Sequence, residues 1–260
     1  MKLCRFRLSQ SADAGVRTGI LAADRVEEAT GEWPGPWSRT GRSWPLGQVR
    51  LLAPVVPSKI ICVARNYQKH AAELGNPVPK EPLIFLKAPS SAIGPGDTIE
   101  MPSDSARVDY EGELAVVIGR ECSRLGPDDA IEPYLAGFTC LNDVTARDIQ
   151  KREGHFGRAK SFDTFCPLGP VIETELDWRR ARVETFVNGE KRQSGTTTEM
   201  IFPLDELVRW VSRIMTLVPG DIIATGTPEG IAALKAGDVV EVSIEGIGRL
   251  SNPVATRRKR

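Results

Sequence analysis

Asp109-Tyr110-Glu111-Gly112-Glu113 runs directly into the apolar stretch Leu114-Ala115-Val116-Val117-Ile118. On a strand, residues two apart share a face, with about 7 Å between successive positions, so Asp109, Glu111 and Glu113 would align. Like charges that head into an apolar interior are unfavourable unless a cation or a basic side chain compensates them. The plain alternative is a solvated strand face. Two glutamates and one further carboxylate would suit a hard, oxygen-seeking cation such as Mg²⁺ or Mn²⁺. Asp143 can supply that carboxylate. It stands where an apolar strand over 138–141 ends and a helix over 144–152 is predicted, and its other possible role is to cap that helix.

The chain has two histidines. His70 precedes Glu73 by three residues, so one helical turn would let the carboxylate orient the imidazole. Such a pair can take a proton from water as a general base, or it can be an ordinary surface pair. His155, between Gly154 and Phe156, reads as a loop residue. Arg147 and Gln150 are three apart and share a helix face. Thr225-Gly226-Thr227-Pro228-Glu229-Gly230 follows an apolar strand over 221–224. Its glycines permit close backbone approach and its hydroxyls can bind an anion, although a simple turn fits the local pattern equally well. No Gly-Lys-Ser/Thr follows, which excludes a Walker loop.

The scaffold that must position these groups is predicted to be rich in strands and turns. Glycine and proline number 24 and 19 in 260 residues, more punctuation than a helical bundle carries. Short apolar runs over 60–64, 83–86, 113–118 and 239–244 have the length of buried strands. Asn188-Gly189 between residues 183–187 and 190–192 marks a tight type I′ hairpin. One helix is predicted over 204–215 from its 3.6-residue apolar stripe, with Pro203 at its entry and Pro219-Gly220 beyond its end. A short helix is predicted over 128–135. Residues 1–56 read as a small β-rich domain with a loop around Trp33, Pro34, Pro36 and Trp37, and residues 57–260 as a second, more densely patterned domain. The fold class is α+β, mostly β.

Thirty-four basic and thirty-four acidic residues cancel, which argues against a sequence-blind nucleic-acid binder or an electrostatically held membrane protein. Arg257-Arg258-Lys259-Arg260 reads as a solvated tail. No uncharged apolar run approaches the roughly 20 residues of a membrane helix. Five widely spaced cysteines without a Cys-x-x-Cys pair point to reduced core thiols and a cytoplasmic protein rather than to zinc or disulfides.

Taken together, the motifs resemble the fumarylacetoacetate hydrolase family. The resemblance rests on Arg65-Asn66-Tyr67-x-x-His70, Asp109-Tyr110-Glu111-Gly112-Glu113-Leu114 and Asn142-Asp143-Val144-Thr145-Ala146-Arg147-Asp148-x-Gln150. It also rests on Ala159-Lys160-Ser161-Phe162-Asp163, Met200-Ile201-Phe202 and Pro219 through Pro228, all in family order over about residues 59–254. The resemblance implies a mixed β-roll or sandwich domain holding a divalent metal, preceded by a small N-terminal β domain, and a homodimer. It implies Glu111, Glu113 and Asp143 as Mg²⁺ or Mn²⁺ ligands, with Asp109 outside the ligand set. His70 and Glu73 match a water-activating dyad on a lid segment. Lys160, Arg147, Gln150, Arg65 and Thr227 match residues that bind the 2-oxo-acid end of a small substrate or its developing negative charge. The loop Glu153-Gly154-His155-Phe156-Gly157 departs from the Gly-Gln-Trp form of close relatives.

A cation chelated by the adjacent carboxylate and carbonyl oxygens of a 2-oxo acid is an electron sink, and Lys160 can add positive charge as an enolate forms. The expected activity is hydrolysis of a C–C bond in 2,4-dioxo acids of the acylpyruvate or fumarylpyruvate type. Oxaloacetate decarboxylation and 2-hydroxyhepta-2,4-diene-1,7-dioate isomerisation are the enzymatic alternatives. A metabolite-binding protein is the alternative outside enzymology, and it would have little need of a His–Glu pair.

Overall fold

The strand Gly112–Ile118 is buried along its whole length because the sheet is covered on both faces. Leu114, Val116 and Ile118 enter one apolar cluster, while Ala115 and Val117 enter another on the opposite side. A strand covered twice needs a continuous apolar run rather than alternation. That burial follows from the surrounding topology. In the computed structural model, which describes residues 1–9, 15–31 and 35–257, this strand lies inside a twelve-stranded sheet. It pairs antiparallel with Leu135–Asn142 on one side and with Ile222–Ala224 on the other. Ile222–Ala224 pairs in parallel with Ile60–Ala64, which pairs antiparallel with the edge strand Leu83–Lys87. Trp33 and Pro34 of the expected N-terminal loop, and Arg258 to Arg260 of the expected tail, lie outside the described residues.

The N-terminal strands do not form an isolated sheet. Lys2–Leu8 pairs with Cys166–Glu173 and with Val49–Leu52, so the first fifty residues extend the large sheet through Arg17–Ala22, Arg25–Thr30 and Ser38–Pro45. A second sheet of five strands runs in the order Glu190–Thr196, Arg182–Val187, Val239–Ile244, Gly248–Thr256 and Ile99–Met101. Its hairpin turns at Asn188 and Gly189 with φ of 52° and 80°, the left-handed pair that a type I′ turn requires. The fold is α+β and mostly sheet, as expected.

Among the described residues four α-helices serve this frame: α1 (Gln68–Glu73), α2 (Arg147–Glu153), α3 (Gly157–Lys160) and α4 (Leu204–Ile214). The last buries Leu204, Leu207, Val208 and Val211 in the larger apolar cluster, as its stripe predicts. Three expectations need correction. The helix predicted from 144 begins at Arg147, because Thr145–Ala146 first pairs with Val108–Asp109. Residues 128–135 form only a 3₁₀ turn, Glu132–Tyr134, since Pro133 lacks the amide a longer helix would use. The predicted strand over 109–118 is interrupted at Tyr110 and Glu111. All five cysteines are free and buried. Among the described residues no helix is long and apolar enough to cross a membrane.

Candidate active site

The interruption at Tyr110–Glu111 separates the three aligned carboxylates. The Glu111 amide donates to Asn142 Oδ1 at 3.0 Å, and the Asp143 amide donates to Glu111 carbonyl oxygen at 2.8 Å. These bonds join the two strand ends so that Glu111, Glu113 and Asp143 converge, each offering a carboxylate oxygen within 4.8 Å of the others. All three are buried. Asp109 turns away, accepting from Arg107 Nε at 2.8 Å and from Arg147 Nε at 2.9 Å. Asp143 does not cap α2, whose N-cap is Ala146 without a side-chain bond. Its carboxylate joins those of Glu111 and Glu113 instead.

Basic side chains surround this cluster unevenly. Lys160, at the end of α3, donates to Glu111 Oε2 at 2.8 Å and to Asp143 Oδ2 at 2.5 Å. Arg147 pairs with Glu111 and reaches Gln150 Oε1 at 2.6 Å. Lys87, from the edge strand, donates to Asp143 Oδ1 at 2.6 Å and to Val144 carbonyl oxygen at 3.2 Å. Glu113 accepts only from the Gly226 amide, at 2.8 Å, and has no ion pair among the described residues.

The proton affinities follow this asymmetry. Burial pushes the Glu111 carboxyl upward, but Lys160, Arg147 and His70 outweigh it and hold the group well below the ordinary carboxylate range. Burial, with Asp143 and Glu111 as like-charged neighbours, pushes Glu113 well above that range. Burial would discharge Lys160, but Asp143 and Glu111 hold its proton more tightly than usual. A crowded, buried set of three hard oxygen donors, one lacking a counter-charge, fits a divalent cation. Glu111, Glu113 and Asp143 are the residues that could hold it.

A cavity opens over this cluster, lined also by Arg65, His70, Phe85, Arg147, Gln150, Phe156, Lys160 and Thr227. His70 is buried on α1, with Nδ1 3.2 Å from Glu73 Oε2. Glu73 Oε1 accepts from the Gly230 amide at 3.1 Å, which anchors the carboxylate from its other side. The segment before α1 is held by Asn66, whose side chain donates to Phe202 and Thr225 carbonyls at 3.0 and 2.8 Å and accepts from the Phe202 amide at 2.8 Å. Gly226 is required beside it: at φ of 95°, an added Cβ would lie 2.8 Å from Asn66 Cβ. The Arg65-Asn66-Tyr67 and Thr225-Gly226-Thr227 motifs are thus two halves of one clasp that places α1 over the cavity.

Every residue singled out from the sequence for the site lies at this cavity except Glu73, which supports His70 from behind, and Asp109. Thr227 lines it, but its hydroxyl donates to Gly112 carbonyl oxygen at 2.8 Å and accepts from Gln193 Nε2 at 2.9 Å, so it is committed to the scaffold. His155 lies in the exposed bend after α2, with Nε2 3.7 Å from Glu153. Lys87 was missed. A lysine that ends an apolar edge strand reads as a charge guarding the edge, and only the pairing of that strand turns it inward.

Residues 59–255 match the family model for fumarylacetoacetate (FAA) hydrolase C-terminal, and residues 1–54 match one described as Rv2993c-like, N-terminal. The chain belongs to the fumarylacetoacetate hydrolase family. Protein Rv2993c of Mycobacterium tuberculosis is 48% identical over 223 residues, covering 85% of this chain and 84% of that protein. Oxaloacetate tautomerase YisK of Bacillus subtilis is 45% identical, with 80% and 74% covered. The crystal structure of 2-hydroxyhepta-2,4-diene-1,7-dioate isomerase from Mycobacterium marinum superposes with a TM-score of 0.90 at 41% identity, covering both chains completely.

Proposed function

We propose that this enzyme moves a proton at the carbon beside the carbonyl of a 2-oxo acid, interconverting its keto and enol forms. The observation that carries this reading is one cavity lined by His70, which Glu73 anchors from behind, by a charged lysine and by a convergent carboxylate triad. Glu111, Glu113 and Asp143 would hold Mg²⁺ or Mn²⁺, which when bound supplies Lewis acidity at the carbonyl oxygen. Glu73 accepts the Nδ1 proton of His70 and leaves Nε2 as the base. His70 removes the proton from carbon, and the electron pair of that C–H bond becomes the C=C bond while negative charge builds on oxygen. Lys160, fixed between Glu111 and Asp143, has a third proton to direct at that charge. Returning the proton to oxygen gives the enol; in a conjugated dienedioate, returning it to a different carbon gives the isomer.

The names of the relatives, a tautomerase and a dioate isomerase, support proton transfer. Hydrolysis of 2,4-dioxo acids and decarboxylation of oxaloacetate would use the same charge-stabilised enolate, the first with His70 acting on water instead of carbon. The test is hydrogen–deuterium exchange at C3 of oxaloacetate and 2-oxobutanoate, followed by NMR in the presence of Mn²⁺, with acylpyruvate cleavage measured in parallel. Exchange should exceed the rate with Mn²⁺ alone, and His70→Ala should lower it by about 10²-fold or more, the usual range for loss of a general base. Exchange no faster than metal alone would overturn the reading, and efficient acylpyruvate cleavage without exchange would restore hydrolysis.

A further inference from the structure

Asp109 stands outside the convergent triad, yet its contacts lead back to it. Arg107 Nε donates to Asp109 Oδ1 at 2.8 Å, and Arg147 Nε donates to Asp109 Oδ2 at 2.9 Å. Arg147 also pairs with Glu111, Lys160 joins Glu111 to Asp143, and Lys87 closes on Asp143 from the far side. These contacts form one file of alternating charge from Arg107 to Lys87, in which each carboxylate lies between two cations. Arg107, with 47% of its side chain exposed, is the member that reaches solvent; the other six are buried.

Arg147 is the shared cation on which Glu111 depends. Each of its three guanidinium nitrogens goes to a different residue: Nε to Asp109, Nη1 to Gln150 Oε1 at 2.6 Å, and Nη2 to Glu111. Glu111 therefore receives one guanidinium nitrogen rather than the parallel two-bond fork that arginine forms with an unrivalled carboxylate. A fork would satisfy Glu111 within the protein and make it a poor ligand for a cation. Without the charge of Asp109, Arg147 would close on Glu111, because a buried guanidinium stripped of one counter-charge is stabilised by the other. The backbone holds the two carriers together: the Arg147 amide donates to Arg107 carbonyl oxygen at 2.8 Å, and Thr145–Ala146 pairs with Val108–Asp109. The Asp109–Arg147 contact is thus a fixed stop and not a loose surface pair.

We propose that Asp109 is a positioning residue for the metal centre. By holding Arg147 through Nε it limits the grip of that guanidinium on Glu111 and so sets how readily Glu111 gives its oxygens to a divalent cation. The inference rests on the proposed function only for Glu111 as a cation ligand, whichever reaction follows.

A double-mutant cycle tests it, with Mn²⁺ affinity read by calorimetry and the fold of each metal-free variant checked by thermal melting. Asp109→Asn should lower Mn²⁺ affinity by about tenfold, the lower end for a residue that orients a metal ligand. In an Arg147→Met background the same substitution should change it by no more than about twofold, since the residue it acts through is gone. Arg107→Gln, at an exposed position, should act in the opposite direction. Asp109, released from Arg107, should draw Arg147 further from Glu111 and raise Mn²⁺ affinity by about two- to fivefold, the scale of a half-exposed ion pair. Misfolding cannot produce such a gain, so this arm decides if Asp109→Asn melts too low to assay. Equal effects with and without Arg147, or no effect of Asp109→Asn and Arg107→Gln, would overturn the proposal and leave Asp109 as a charge balance for two arginines. Wild-type Mn²⁺ binding that Glu113→Gln does not weaken would remove the metal reading of the triad and this proposal with it. Triad-dependent binding that ignores Asp109 would remove the proposal alone.

Discussion

Two buried groups of acid side chains in this molecule have opposite characters. In the N-terminal strands a single carboxylate, Glu28, meets Arg17 at 2.7 Å, Arg42 Nε at 2.6 Å and the Thr40 hydroxyl at 2.8 Å. Burial alone would push its carboxyl upward, but these partners hold it below the ordinary range. In the active site three carboxylates converge, and Glu113 is left with a lone amide donor. The first arrangement satisfies a charge within the protein, whereas the second concentrates charge and leaves some of it for a ligand. Buried polarity therefore has no single meaning; an unmatched remainder marks a candidate ligand site.

The largest effect should come from Glu113→Gln. The amide keeps the Gly226 contact but loses the charge, so Mn²⁺ affinity measured by calorimetry should fall by roughly 100-fold or more, at or beyond the upper end of ligand-support losses. Because Glu113 is crowded by like charges, metal-free thermal stability should stay level or rise. Saturating Mn²⁺ at 100 times its dissociation constant should stabilise the wild type by about 2.7 kcal/mol and the variant by much less. A metal-free variant several degrees less stable, with its Mn²⁺ affinity intact, would mean that Glu113 is compensated as Glu28 is.

Lys87 lies between the two cases. It fixes one oxygen of Asp143 while Lys160 fixes the other, so its effect on the metal should be one of orientation. Lys87→Met should weaken Mn²⁺ binding by about tenfold, the lower end for a residue that orients a ligand. Lys87→Arg should recover part of the loss if the donated hydrogen bond is what matters. Equal Mn²⁺ affinity in wild type and Lys87→Met would reduce Lys87 to a stability element.

The active-site carboxylates were legible because glutamates two apart at the mouth of an apolar run conflict with ordinary strand patterning. His70 and Glu73 were legible through their spacing on a single helical turn. Lys87 was not, since its inward direction depends on the pairing of Ile60–Ala64 with Leu83–Lys87. Nor was the late start of α2, which is set by Thr145–Ala146 pairing with Val108–Asp109 more than thirty residues away. Asp109 could be read as a third aligned carboxylate, but only the fold shows that Arg107 and Arg147 hold it. Local spacing was enough to pick out the residues that converge at the inner cavity, and long-range pairing determined what supports them.

The smallest expected effect tests the compensated side of the comparison. Glu28 lies below the ordinary carboxylate range in the folded protein, so its stabilising contribution is complete above its unfolded pKa of about 4.3 and disappears as pH falls through the folded value. Glu28→Gln should therefore lower the melting temperature by about 2–4 °C at neutral pH, corresponding to roughly 1 kcal/mol for a chain of this size. The gap between wild type and variant should hold steady from pH 8 to about pH 5 and close below about pH 4. Arg42 is largely exposed, so part of the attraction is screened, and 0.5 M salt should narrow the neutral-pH gap without abolishing it. A gap that widens as the pH falls would show that Glu28 carries an unmet charge like Glu113, and the contrast between the two clusters would fail.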